Sequence, residues 1–165
     1  MPLPHTATPR PAPTGIARGA VGLFLHDRQG RVLLLRRRGA HGAGQWGLTG
    51  GKVDFGESLP ACAARELREE TGISIDPTEV RIGPTITDYW PVEGRHFVDV
   101  FCSAPCPAGA QARIMEPDKA DALGWFGLQS LPSPLFTPLQ RVLSLGITLP
   151  FPWTDAGACM RPAGG

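Results

Sequence analysis

The chain has 165 residues, enough for one hydrophobic core and short for two. Sixteen Lys and Arg against fifteen Asp and Glu leave a net charge of +1, which excludes the broad cationic surface that binding to a nucleic-acid polymer would use and favours a small-molecule partner. No run of 18 apolar residues occurs and the N-terminal MPLPHTATPRPAPTG has no apolar h-region, so no membrane partner is expected and a cytoplasmic setting is the default.

Residues 1–14 are rich in Pro, Thr and Ala and read as a disordered tail, 15–148 as one folded domain, and 149–165 as a second, Pro- and Gly-rich tail. Two apolar runs at 20–25 and 31–36 flank the polar turn Asp27-Arg28-Gln29-Gly30 and predict a β-hairpin. The runs are continuous rather than alternating, as expected of strands covered on both faces. A glycine-rich connector at 39–47 leads to a short strand at Gln45-Trp46-Gly47-Leu48, with Trp46 as a core anchor.

The stretch 51–73, GKVDFGESLPACAARELREETGI, holds Asp54, Glu57, Glu66, Glu69 and Glu70. Ser58 as N-cap, Pro60 in the first turn and Gly72 just past the end predict a helix over 59–71. Leu59, Ala63 and Leu67 give that helix an apolar row beside Cys62. On it Glu66, Glu69 and Glu70 are i,i+3 and i,i+4 neighbours whose like charges repel by roughly 0.2–0.5 kcal/mol per pair. A hard divalent cation such as Mg²⁺ or Mn²⁺ would reverse that sign by bridging carboxylates to substrate phosphates. The alternative is a solvated face on which Arg65 pairs with Glu69.

Further on, β-branched residues at 80–90 and the run 96–102 around the turn Pro91-Val92-Glu93-Gly94 predict a second hairpin, with Pro84 marking an edge or a break. Leu123-Gly124-Trp125-Phe126 reads as a last strand, and Leu135, Leu139, Val142 and Leu143 predict a second helix over 135–145, ended by Gly146. Of the four cysteines at 62, 102, 106 and 159, none forms a CxxC pair, so free thiols in a reducing compartment are expected; a bridge or a metal at Cys102 and Cys106 is the minor alternative.

Gly51, five residues, Glu57, seven residues, then Arg65-Glu66-Leu67-Arg68-Glu69-Glu70-Thr71-Gly72-Ile73 resembles the signature of the Nudix hydrolases, with every fixed position filled. The resemblance implies an α+β fold, an α/β/α sandwich with a mixed β-sheet between helices, and metal-dependent hydrolysis of a phosphoanhydride. It further implies Gly50, Glu66, Glu69 and Glu70 as ligands of Mg²⁺ or Mn²⁺. Glu66 would be ligand or general base, Glu57 would reach the cluster through water, and Arg65 would hold the glutamates by ion pairs. Outside the motif, His96-Phe97-Val98, the Glu116-Pro117-Asp118-Lys119 segment, Trp125 and Leu131-Pro132-Ser133-Pro134-Leu135-Phe136 are similar to the MutT-like branch, which hydrolyses nucleoside triphosphates and oxidised purine nucleotides to a monophosphate and pyrophosphate. Trp125, flanked by Gly124 and Gly127 at an expected strand end, is then expected to stack on the base, with packing in the core as the competing reading, and Phe97, His96 and Glu116 are expected as further substrate contacts. Thr49 stands where that branch has Pro, which predicts a looser loop. Hydrolysis of ADP-ribose or another sugar nucleotide or dinucleotide, and a non-catalytic nucleotide-binding regulator, are the competing readings. A homodimer is left open.

Overall fold

A computed structural model describes residues 15–152. The tail expected over 1–14, Cys159 and most of the expected C-terminal tail lie outside these residues. One seven-stranded mixed sheet carries a helix on each face. In chain order the strands are β1 (Arg18–His26), β2 (Arg31–Arg37), β3 (Trp46–Gly47), β4 (Thr49–Lys52), β5 (Arg81–Trp90), β6 (Arg95–Pro105) and β7 (Ala120–Gly127). The helices are α1 (Leu59–Thr71), between β4 and β5, and α2 (Thr137–Leu143), after β7.

β1 is the hub. It runs parallel to β6 from Arg18↔Phe97 to His26↔Pro105 and antiparallel to β4 from Ala20↔Lys52 to Leu23↔Thr49, while β2 pairs with it only at His26↔Val32. The expected first hairpin therefore forms but splays apart: β2 diverges to pair with β3 and β7, and β4 takes its place beside β1. The second hairpin, β5 with β6, forms with an irregularity between Ile82 and Thr85, spanning Pro84 on an edge strand whose lost N–H is tolerated there.

Two cores follow from the continuous apolar runs. Val21, Leu23, Leu25 and Leu33 pack under Cys62, Ala63 and Leu67 of α1. Phe24, Val32, Leu34 and Phe101 pack under Leu139 and Val142 of α2. Alternate residues of one strand thus serve opposite layers. Helix α1 has the predicted bounds: the Ser58 hydroxyl accepts from the Ala61 N–H, and Gly72 at φ 76° closes it, donating to the Arg68 carbonyl. Helix α2 is shorter than predicted, because Leu135 is drawn into a bridge with Trp46 and Pro138 occupies the first turn. Phe151, assigned to a tail by composition, is 3 % exposed and packs edge-on against Phe24 with ring centroids 5.8 Å apart, so packing reaches past residue 148. Among the described residues no helix is long and apolar enough to cross a membrane.

Candidate active site

Strand β4 and helix α1 build the site together. Gly50 sits at φ 150°, and a Cβ there would lie 2.1 Å from the Val21 carbonyl oxygen, so only glycine lets β4 lie this close to β1. A Cβ on Gly51 would lie 2.2 Å from Glu66 Oε1, so the missing side chain is the space the Glu66 carboxyl fills. The Gly50 N–H donates to Glu70 Oε2 at 3.0 Å, which locks the end of α1 onto the strand.

Arg65 organises the carboxylates. Its Nε donates to Glu57 Oε1 at 2.8 Å, its Nη1 to Glu66 Oε1 at 2.9 Å and Glu69 Oε2 at 3.2 Å, and its Nη2 to Glu57 Oε2 at 3.0 Å and the Lys52 carbonyl at 3.1 Å. Glu57 Oε2 also accepts from the Asp54 N–H, fixing the loop between β4 and α1. The bonds from Arg65 hold the Glu57 carboxyl below the usual range. Burial pushes Glu66 up, with Arg65 opposing it. Burial pushes Glu70 up to about 8, the Gly50 bond opposing and the charges of Glu66 and Glu116 adding to it.

Two clefts meet at this point. The first, about 330 Å³, is lined by Gly50, Gly51, Arg65, Glu66, Glu70 and Glu116 with the cations Arg37, Arg38, Lys52 and Lys119. The second, about 300 Å³ and mostly apolar, opens on the α2 side between Phe97, Phe101, Phe136, His41, Leu48 and Leu139. They share Arg37, Leu48, Gly50, Gly51 and Lys52. The second cleft has a floor because Ala20, Gly22 and Gly50 present almost no side chain on that face of the sheet. Of its lining residues His41 stands edge-on to Phe136, and the Arg37 guanidinium lies 4.3 Å from the Phe136 ring; Trp90, outside the lining, lies parallel to Phe136 at 6.2 Å and edge-on to His41. His41 Nδ1 approaches Glu93 Oε2 at 2.7 Å, which pins the glycine-rich connector to the β5–β6 turn.

Among the described residues no three carboxylates, imidazoles or thiolates stand together closely enough to enclose a metal ion. The reason is local: Arg65 draws Glu57, Glu66 and Glu69 to itself. The donor set still suits a hard divalent cation. The charges of Glu66 and Glu116 both bear on Glu70 across the first cleft, and Glu116 Oε2 is buried with no hydrogen-bond partner.

The structure brings Gly50, Arg65, Glu66, Glu70 and Glu116 into one cleft and leaves Glu57 and Glu69 behind Arg65, with the Glu69 side chain 43 % exposed. Phe97 lines the apolar cleft, and His96 lies in a neighbouring pocket. Trp125 is the correction. It pairs with Leu33 in β7, packs against the α1-side core and lines a depression with Asp27, Arg31 and Cys106. It stands five residues along the strand from Ala120 in the carboxylate cleft, about 16 Å at roughly 3.3 Å per residue. The expectation took the flanking glycines as a sign of a strand end, whereas Gly124 leaves room for the Phe126 ring inside the strand. Sequence reading missed His41, Phe101 and Phe136, which nothing local marks as a set because they come from three separate segments. Arg37, in the run Arg36-Arg37-Arg38, reads from sequence as a solvated strand end more than as a phosphate-binding patch. Thr49, expected in a loose loop, is fully buried within β4 opposite Leu23.

The family description "NUDIX domain" matches residues 17–145. A zebrafish (Danio rerio) oxidized purine nucleoside triphosphate hydrolase is 46 % identical over 54 residues, 33 % of this chain and 35 % of that protein. A putative 8-oxo-dGTP diphosphatase 3 of Mycobacterium tuberculosis is 30 % identical over 145 residues, covering 74 % of this chain and 66 % of the relative. The chain spans little more than a third of the length of the first curated relatives it matches. Among solved structures, the MutT NUDIX hydrolase of Burkholderia pseudomallei superposes with a TM-score of 0.71 at 36 % identity, over 78 % of this chain and 97 % of that one. With Gly51, Arg65, Glu66 and Glu70 of the signature at one cleft and the family match running from before β1 through α2, the chain belongs to the Nudix family and has its MutT-like fold.

Proposed function

We propose that the protein hydrolyses a phosphoanhydride bond of a nucleoside triphosphate or a related, including oxidised, nucleotide, releasing a nucleoside monophosphate and pyrophosphate. The observation that carries this is the junction of the two clefts. A carboxylate-lined cleft rimmed by four cations opens directly into an aromatic cleft whose 300 Å³ suit a flat base. A polyphosphate in the first places its nucleoside in the second. The M. tuberculosis and zebrafish relatives, named for hydrolysis of oxidised purine nucleotides, support the same substrate class.

Nudix enzymes in general need divalent metal ions. Here Glu66, Glu70 and the Gly50 carbonyl would hold Mg²⁺ or Mn²⁺, with Glu69 joining once released from Arg65, and the ion would neutralise charge on the phosphate oxygens. The chain's own residues supply the rest. Arg37, Arg38 and Lys119 face the phosphates, and Phe136, Phe97 and His41 hold the base. Glu66, seated over Gly51, takes the proton of the attacking water as its oxygen bonds to phosphorus. The bridging P–O bond breaks, and its electron pair leaves on the departing phosphate oxygen. Arg65 keeps Glu57 and Glu66 from moving and so acts by positioning. The free thiols of Cys62, Cys102 and Cys106 favour a reducing, cytoplasmic setting.

The test is a screen of nucleoside triphosphates, their 8-oxo forms, ADP-ribose and dinucleoside polyphosphates with Mg²⁺, following monophosphate and pyrophosphate. Turnover of triphosphates above the other classes is expected. Preference for ADP-ribose would replace this reading with the sugar-nucleotide one, and binding without turnover of any substrate would favour a regulator.

A further inference from the structure

Beside the two clefts lies a third pocket, about 420 Å³, lined by Arg18, Lys52, Arg95, His96 and Phe97 with Ile16 and Gly94 at its rim. In a chain of net charge +1 this places three permanent cations and an imidazole around one space, and among the described residues no carboxylate lines it. The sheet register explains the gathering. Arg18 pairs with Phe97 across the parallel β1–β6 ladder, and Lys52 pairs with Ala20 across the antiparallel β1–β4 ladder. Residues 18 and 20 of β1 share a face, so Arg18 and Lys52 occupy diagonal positions about 7–8 Å apart on the face that carries Phe97 and Phe101. The acids that face the same way are committed elsewhere. Asp88 is buried and paired with Arg141, and Asp99 shares a hydrogen bond with Asp88. Glu93, 3.4 Å from Arg95 Nε, is itself engaged with His41.

The position of the pocket says what it would hold. It shares Lys52, Arg95 and Phe97 with the aromatic cleft and only Lys52 with the carboxylate cleft. A group filling it therefore extends from the nucleoside, away from the 5′ polyphosphate. We propose that Arg18, Lys52, Arg95 and His96 form a second phosphate subsite, which receives a phosphate carried on the sugar of the nucleotide whose base occupies the aromatic cleft. That phosphate is either a free 3′-phosphate or the 3′-phosphodiester that joins a 5′-phosphorylated nucleotide to the next one. The proposal rests on the reading of the aromatic cleft as the nucleoside site.

Equilibrium binding without turnover tests it. Titration calorimetry with Mg²⁺ compares a purine nucleoside 5′-monophosphate, the corresponding 3′,5′-bisphosphate and a 5′-phosphorylated dinucleotide, on the wild-type protein and on Arg18→Gln. Arg18 lines only the third pocket, at the exposed start of β1, so this variant keeps its fold and its affinity for the monophosphate. The extra phosphate is expected to tighten binding about tenfold, the scale of one charge-assisted hydrogen bond, and the gain is expected to vanish in Arg18→Gln. A gain with the bisphosphate alone assigns the subsite to a terminal phosphate, and a gain with the dinucleotide as well assigns it to a phosphodiester. Equal affinity for all three ligands, or a gain that survives Arg18→Gln, overturns the subsite while leaving the nucleoside reading in place. Failure of every ligand, the monophosphate included, overturns both.

Discussion

Replacing Gly51 by Ala separates the chemistry of the site from its folding. The added methyl would stand 2.2 Å from Glu66 Oε1, 2.4 Å from Cδ and 2.7 Å from Oε2, where ordinary contact begins at 3.4 Å. The carboxyl must therefore retreat by about 1.2 Å, the difference between 3.4 and 2.2 Å. It is the far end of a flexible side chain, so the move costs little in folding. Loss of the Glu66–Arg65 bond removes about 1 kcal/mol, and the reduced freedom of the unfolded chain returns about 0.4–1 kcal/mol. The thermal midpoint should stay within about 4 °C of wild type. A catalytic group misplaced by about 1 Å costs about 100-fold in rate, so kcat should fall by that order. Gly50→Ala is the contrasting control. Its methyl would meet the Val21 backbone oxygen at 2.1 Å, which cannot swing aside, so it should lower the midpoint sharply. Steady-state kinetics and thermal melts of both variants decide the matter. A folded Gly51→Ala protein with kcat within threefold of wild type would remove Glu66 from the reaction, and a midpoint lowered by more than about 10 °C would show that the strand cannot accept the methyl.

Glu70→Gln should lower kcat by at least about 100-fold while leaving the metal-free fold intact. Because burial lifts the Glu70 carboxyl from 4.5 to about 8, its ionisation removes stability as pH rises through about 8. The variant should therefore melt higher than wild type at pH 9 and alike at pH 5; equal midpoints at both pH values would contradict the burial argument. Phe136→Ala should raise KM for nucleotides about 10- to 100-fold with kcat retained, as expected for loss of a base-stacking ring. Trp125→Ala should instead lose about 3–5 kcal/mol of folding stability with unaltered kinetics in the folded fraction, and an exchange of these two outcomes would restore Trp125 as a base contact. Asp99, raised from 3.8 to about 7 by burial and by Asp88, makes its full contribution below about pH 4 and loses it as pH climbs through 7. Solvent reaching its partly exposed side chain limits that loss to about 2 kcal/mol, so Asp99→Asn should flatten the pH dependence of chemical denaturation between pH 4 and 8; an unchanged slope would contradict it.

Local signals carried most of the fold. Capping at Ser58 and Gly72 placed α1, and the unbroken apolar runs at 20–25 and 31–36 told of a sheet covered on both faces, because these cues are short-range consequences of backbone hydrogen bonding and burial. The carboxylate cleft was legible for the same reason: Gly50, Gly51, Arg65, Glu66 and Glu70 lie within 21 residues on one strand–loop–helix unit. Of the aromatic cleft only Phe97 was legible. Phe136, His41 and Phe97 meet only because β2 splays from β1 and the 39–47 connector folds back against the β5–β6 turn, which is set by long-range pairing. Trp125 misled for a related reason, since a tryptophan between glycines reads alike at a cleft and over a core, and only its register opposite Leu33 distinguishes them.

Metal-dependent cleavage of a nucleoside triphosphate within its anhydride chain is visible in ³¹P spectra of a triphosphate incubated with the wild-type protein, with and without Mg²⁺. Monophosphate and pyrophosphate resonances should grow in together when Mg²⁺ is present and not at all in excess chelator. Growth of orthophosphate and nucleoside diphosphate signals, or turnover unaffected by chelation, would contradict metal-dependent release of pyrophosphate.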